Sequence, residues 1–246
     1  MRCRGAAVAG MARARTVASQ AKRLQRPRKW VPFFGTFPPE SVVQFPVVVQ
    51  ALADDDHGVT GMLKIMIIRH AEKHQHGSHD RGVSEAGRPA HHELTVRGWQ
   101  RAGALVHLFA SPGGLPDGSK IHTPRSIFAS AATRDSPSLR AMHTAGPLAA
   151  ALGIPVNHAY AEEEEAALAA VVIAAPSPAL IVWHHAAIPR LVMEIAGKLP
   201  GCPVHWPDDR FDLIWILERN APRAGWSFSQ VSQRLLPGDG TDVAPP

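Results

Sequence analysis

From Met62 onward, short apolar runs alternate with stretches whose apolar residues recur at helical spacing. The runs 63–68, 126–129, 154–157, 179–183 and 211–217 have strand length and are rich in β-branched and aromatic residues. Between them, 94–110, 137–152, 162–174 and 188–199 read as helices. The first and third end near Pro112 and Pro176, and the second stops at Gly153, which are ordinary helix terminators. Strand, helix, strand recurs four times. Parallel strands need such crossovers, so the pattern predicts a three-layer α/β/α sandwich with a mostly parallel central sheet.

Two segments stand outside the alternation. Residues 74–93 contain Gly, Pro, Ser and five histidines (His74, His76, His79, His91, His92) without an apolar period. They read as a long loop leaving the C-terminal end of the first strand, a place where long loops are often functional. No pair of these histidines has the fixed helical or strand context that metal ligands need, so no metal and no other cofactor is expected. The first thirty residues are rich in Arg and Ala, lack acids and show no period that would bury a face. Residues 1–61 therefore read as a disordered basic tail, with a transit segment or an over-long gene model beginning before Met62 as alternatives. Residues 62–246 read as one catalytic domain.

The formal charge of +5 raises a nucleic-acid reading until it is located. Residues 1–61 hold nine Lys and Arg against four acids, whereas the rest of the chain has 17 of each sign. The excess belongs to the tail, so a nucleic-acid partner is not expected for the folded domain. Two cysteines, Cys3 and Cys202, give no disulfide framework and no thiolate cluster, which fits a reducing cytoplasm, with organellar import as the alternative. No run of 18 apolar residues is present, and the longest candidate, 42–52, is broken by Pro46. No membrane partner is expected.

In parallel sheets ligands gather at the carboxyl ends of strands. Two apolar runs end there in histidine: 63–68 leads into Arg69-His70-Ala71-Glu72-Lys73, and 179–183 leads into His184-His185-Ala186-Ala187-Ile188-Pro189. A neutral imidazole can take a phosphoryl group that water then discharges, and arginine forks suit the phosphate oxygens. Arg69 adjoins the first histidine. Arg140 lies near the start of a predicted helix, where the dipole and free N–H groups favour an anion.

These residues resemble the histidine phosphatase superfamily, which includes phosphoglycerate mutase-like and acid phosphatase-like branches. Arg69-His70-Ala71-Glu72 looks like its Arg-His-Gly-Glu signature, with Ala71 in place of glycine. Leu94-Thr95-Val96-Arg97-Gly98 with Gln100-Arg101-Ala102 is similar to its Leu-Thr-x-x-Gly-x-x-Gln-Ala helix start. Ser136-Pro137, Arg140-Ala141 and Thr144-Ala145 resemble its Ser-Pro-x-x-Arg-Ala-x-x-Thr-Ala motif, five residues further from Ser130 than a direct strand exit. Arg134, inside that insertion, is the reserve for Arg140.

The resemblance implies that His70 is phosphorylated, that Arg69, Arg140 and a late histidine bind phosphate, and that a carboxyl group protonates the leaving oxygen. For the late histidine, the common pattern selects His184, while the subgroup pattern Trp-x-His-x-x-Ile-Pro, matched by Trp183, Ile188 and Pro189, selects His185 and is preferred. For the proton donor, Glu162, Glu163, Glu164 and Glu165 form one run, and Glu165 is chosen because the run enters the helix there. Such a run also suits a helix start without any function. Trp99, Trp183, Trp206 and Trp215 read as packing residues, and 206–212 as a turn into the last strand or a substrate contact. The expected function is metal-independent hydrolysis of phosphomonoesters through a phosphohistidine, the substrate being a small-molecule phosphate ester or another phosphorylated substrate. A phosphomutase and a catalytically silent phosphate-binding module are the alternatives.

Overall fold

The computed structural model describes residues 62–75, 77–111 and 118–245. The segment 1–61, read as a basic tail, lies outside them, as do His76 and Pro112. In chain order the elements are β1 (Leu63–Arg69), α1 (Val96–Phe109), β2 (Ser126–Ala129), α2 (Arg140–Leu152), β3 (Val156–Asn157), α3 (Glu165–Ala174), β4 (Ala179–Trp183), α4 (Ile188–Ala196), β5 (Leu213–Arg219) and β6 (Ser227–Ser232). The strands form one sheet in the order β3-β2-β4-β1-β5-β6. β3, β2, β4 and β1 run parallel, while β5 lies antiparallel on β1 and β6 antiparallel on β5.

The alternation of side chains along β1 builds two cores. Ile65 and Ile67 pack with Leu168 and Val172 of α3 and with Leu191 and Ile195 of α4. Met66 and Ile68 pack on the other face with Leu105 and Phe109 of α1 and with Ala145 and Leu148 of α2. A strand covered on both faces has no polar side to show, which is why residues 65–68 of β1 and the whole of β4 read as unbroken apolar runs. The molecule is the expected three-layer α/β/α sandwich with a mostly parallel sheet. Among the described residues, no helix is long and apolar enough to cross a membrane.

Several boundaries differ from the sequence pattern. α2 begins at Arg140 and α3 at Glu165, each three residues later than predicted. α2 ends as expected at Gly153, whose left-handed conformation (φ 66°) needs a residue without a Cβ. β6 has no apolar run to announce it, because it is a partly exposed edge strand of sequence SFSQVS. The stretch 74–93 is folded back on itself by three isolated bridges, Lys73 to Leu94, Gly82 to Thr95 and Val83 to Pro89.

Candidate active site

The parallel register between β1 and β4 sets Arg69 opposite Trp183, and His70 continues it by donating its backbone N–H to the Trp183 carbonyl at 3.1 Å. The residue after each strand is then a histidine. Accordingly the rings of His70 and His184 stand 5.8 Å apart, edge to face. His70 is 2% exposed, and its Nδ1 lies 2.8 Å from the Ala71 carbonyl oxygen. A carbonyl only accepts, so Nδ1 carries the proton and Nε2 keeps the lone pair. Burial pushes the imidazole well below the ordinary 6.5, and the charges of Arg69, His184 and Arg140 push the same way against the Ala71 hydrogen bond. The site holds a neutral imidazole with its nucleophilic nitrogen uncommitted among the described residues.

Arg69 closes β1 and is 1% exposed. Its Nη1 donates to the carbonyls of Asp208 (2.6 Å) and Arg210 (3.4 Å), and its guanidinium lies 3.8 Å from the centre of the Phe211 ring. The buried Nε has no hydrogen-bond partner among the described residues. Burial pulls this arginine down to about 10, opposed by Asp208, Glu72 and Asp209. A buried cationic donor without a protein acceptor costs on the order of 1–3 kcal/mol, a cost that an anion in reach of Nε would remove.

Arg140, the first residue of α2, is half-buried, and its charge acts on Arg69, His70, Lys73 and His184. Four residues on, the Thr144 hydroxyl donates to the Arg140 carbonyl at 2.7 Å and accepts the Ala71 N–H at 2.8 Å. This one side chain fixes α2 against the turn that follows His70, which gives the Arg-Ala-x-x-Thr run a physical reason. Arg134 is exposed and makes no ion pair among the described residues, so the second arginine at the site is Arg140.

The two remaining choices made from sequence, His185 and Glu165, are each held by contacts of their own. His184, not the preferred His185, adjoins His70; its Nε2 lies 3.1 Å from the Ser130 hydroxyl. His185 instead reaches Asp208, whose carboxylate oxygen lies 2.9 Å from its Nε2. The register explains the difference, since one further residue along the chain turns the side chain away from its neighbour across the sheet. Glu165 is fully buried, accepts from Trp183 Nε1 and the Glu163 N–H, both at 3.1 Å, and lies 3.5 Å from Arg190 Nε. It braces the end of β4 from within the core. The half-buried Glu162 is the carboxylate whose charge acts most on His184, opposing the burial that lowers it, and it acts on Lys73 as well.

Four contributors were not singled out from sequence. Ser130 and Thr144 were visible only as a residue after a strand and as part of a motif. Phe211 and the Asp208 carbonyl belong to the run 206–212, where they hold Arg69. A polar cavity of about 380 Å³ borders the site through Lys73 and Phe211. Glu72, the last residue of the Arg-His-Ala-Glu run, faces the other way: both carboxylate oxygens take Arg101 at 2.8–3.1 Å, and one takes Arg97 at 3.1 Å. No protein-family model matches the chain, and no curated protein matches it either.

Proposed function

We propose that the protein hydrolyses phosphomonoesters through a phosphohistidine on His70. The observation that carries this reading is the state of His70: a buried, neutral imidazole, protonated at Nδ1 by its tie to Ala71, with Nε2 uncommitted beside two arginines and a second histidine. The resemblance of the three motifs to histidine phosphatases points the same way. In the first step the Nε2 lone pair attacks phosphorus, the bond to the ester oxygen breaks, and Glu162 gives its proton to the departing alcohol. Arg69, Arg140 and His184 hold the phosphoryl oxygens, where donors aimed at developing charge act most strongly. In the second step the Glu162 carboxylate takes a proton from water as that water attacks phosphorus, and the phosphorus–nitrogen bond breaks to release inorganic phosphate.

The test is hydrolysis of an aryl phosphate in chelator-treated buffer, compared with an alkyl phosphate. The wild type is expected to turn over both. Glu162→Gln is expected to lose about 10²- to 10⁴-fold in turnover of both esters, because the water-activating carboxylate is gone, while still releasing a first equivalent of the aryl alcohol, a leaving group that needs no proton, and no such burst of the alkyl alcohol. A wild type inert toward every phosphomonoester would contradict the reading.

A further inference from the structure

Arg140 is not held by its own helix. Its Nη2 donates to the His91 carbonyl at 2.6 Å, its Nε to the Glu93 carbonyl at 3.2 Å and its Nη1 to the Ser138 hydroxyl at 3.3 Å. A guanidinium has five N–H groups, so two remain, one on each terminal nitrogen. Those two form the fork that would grip a pair of phosphate oxygens. Where the fork points is therefore set by the carbonyls of residues 91 and 93, which belong to the folded-back loop and not to the sheet.

That loop is anchored by side chains the mechanism does not use. Glu93 is 8% exposed, and its carboxylate takes a short hydrogen bond from Nδ1 of His143, one turn beyond Arg140 on α2. The indole of Trp99, on α1, stacks on the His143 ring with centres 5.0 Å apart, and its Nε1 donates to the Val83 carbonyl at 2.8 Å. The Leu139 N–H adds a bond to the His92 carbonyl at 3.3 Å. The connections make a closed circuit: α2 presents Arg140 to the Glu93 carbonyl, and the Glu93 side chain returns to α2 through His143. A carboxylate buried at this depth is costly without a partner, so losing His143 would release Glu93 and the carbonyl it carries.

We propose that Glu93 and His143 form a positioning pair that aims the Arg140 guanidinium at the phosphoryl group, so that the loop sets the grip on phosphate. The proposal rests on the phosphate reading of the His70 site. It is tested by measuring vanadate affinity and thermal midpoint in a double-mutant cycle on the full chain. His143→Phe keeps an aromatic ring for Trp99 and removes the hydrogen bond; Glu93→Gln, a milder change, runs in a parallel cycle should the first not fold. His143→Phe is expected to weaken vanadate binding about tenfold in the wild-type background and not at all in Arg140→Ala, with Glu93→Gln between it and wild type. The thermal midpoint, taken for every variant, establishes that each protein compared is folded. An equal affinity loss with and without Arg140, or none in a folded variant, would overturn the positioning role alone. A wild type that binds vanadate nowhere would overturn the role and the phosphate reading together.

Discussion

At the scale of single residues, two adjacent histidines have different neighbours. His184 stands beside His70 with its Nε2 at the Ser130 hydroxyl, and with that hydroxyl donating to Nε2 the ring carries its hydrogen on Nδ1 for an oxygen on phosphorus; His185 meets the largely exposed carboxylate of Asp208, where an ion pair contributes little. His184→Ala is expected to lower kcat/KM about 10²- to 10³-fold, as for the removal of one transition-state donor. His185→Ala should cost less than about tenfold, because what it removes is an exposed contact. Steady-state kinetics on the two purified variants check this, and a reversed order would return the phosphate contact to His185.

At the scale of elements, the short motifs are joints between helices and the turn after β1. Thr95 caps α1 by accepting the Gly98 N–H at 3.2 Å, and its own N–H donates to the Glu72 carbonyl at 2.9 Å. Gly98 is needed because a Cβ there would sit 2.4 Å from that same carbonyl oxygen and 3.1 Å from the Glu72 nitrogen, both backbone atoms that cannot swing aside. Gly98→Ala should therefore lose about 1–3 kcal/mol, read as a lower denaturation midpoint; an unchanged midpoint would mean that α1 is free to shift. Such joints were legible in sequence as motifs, and β1, β2 and β4 as apolar runs ending in chemistry, because burial on both faces leaves a plain signature. β6 was not legible, since an edge strand carries no such run. Nor was the choice within Glu162 to Glu165, because a run of identical side chains does not reveal which one the first helical turn buries. His184 over His185 depended on strand register, which a single strand's sequence does not contain.

At the scale of the whole molecule, a buried ionic network fastens the segment around Asp239 to the turn that follows β1. Arg101 on α1 holds Glu72 at 2.8 Å and Asp239 at 2.6 Å, and the backbone N–H groups of Leu235 and Leu236 donate to the second Asp239 oxygen. Burial alone would raise the Asp239 carboxyl, but the hydrogen bond from Arg101 and those from the backbone outweigh it and hold it at about 2, below its ordinary 3.8. A carboxylate depressed by folding contributes stability above its unfolded value and loses it as pH falls through the folded one. The thermal midpoint is thus expected to drop between about pH 4 and pH 2 more steeply in the wild type than in Asp239→Asn. Identical slopes in pH-dependent thermal melts would remove the network from this role.

The sheet places His70 and His184 on one rim, and α2 and the loop bring Arg140 to them. The consequence that separates this arrangement from a phosphate-binding site without chemistry is a covalent bond to His70. Rapid quench with a phosphate ester labelled at phosphorus tests it most directly. The wild type should yield a labelled protein that is acid-labile and alkali-stable, as a phosphoramidate is, and His70→Ala should yield none and lose nearly all turnover. Label retained by His70→Ala, or a wild type that turns over substrate without ever carrying label, would contradict the account.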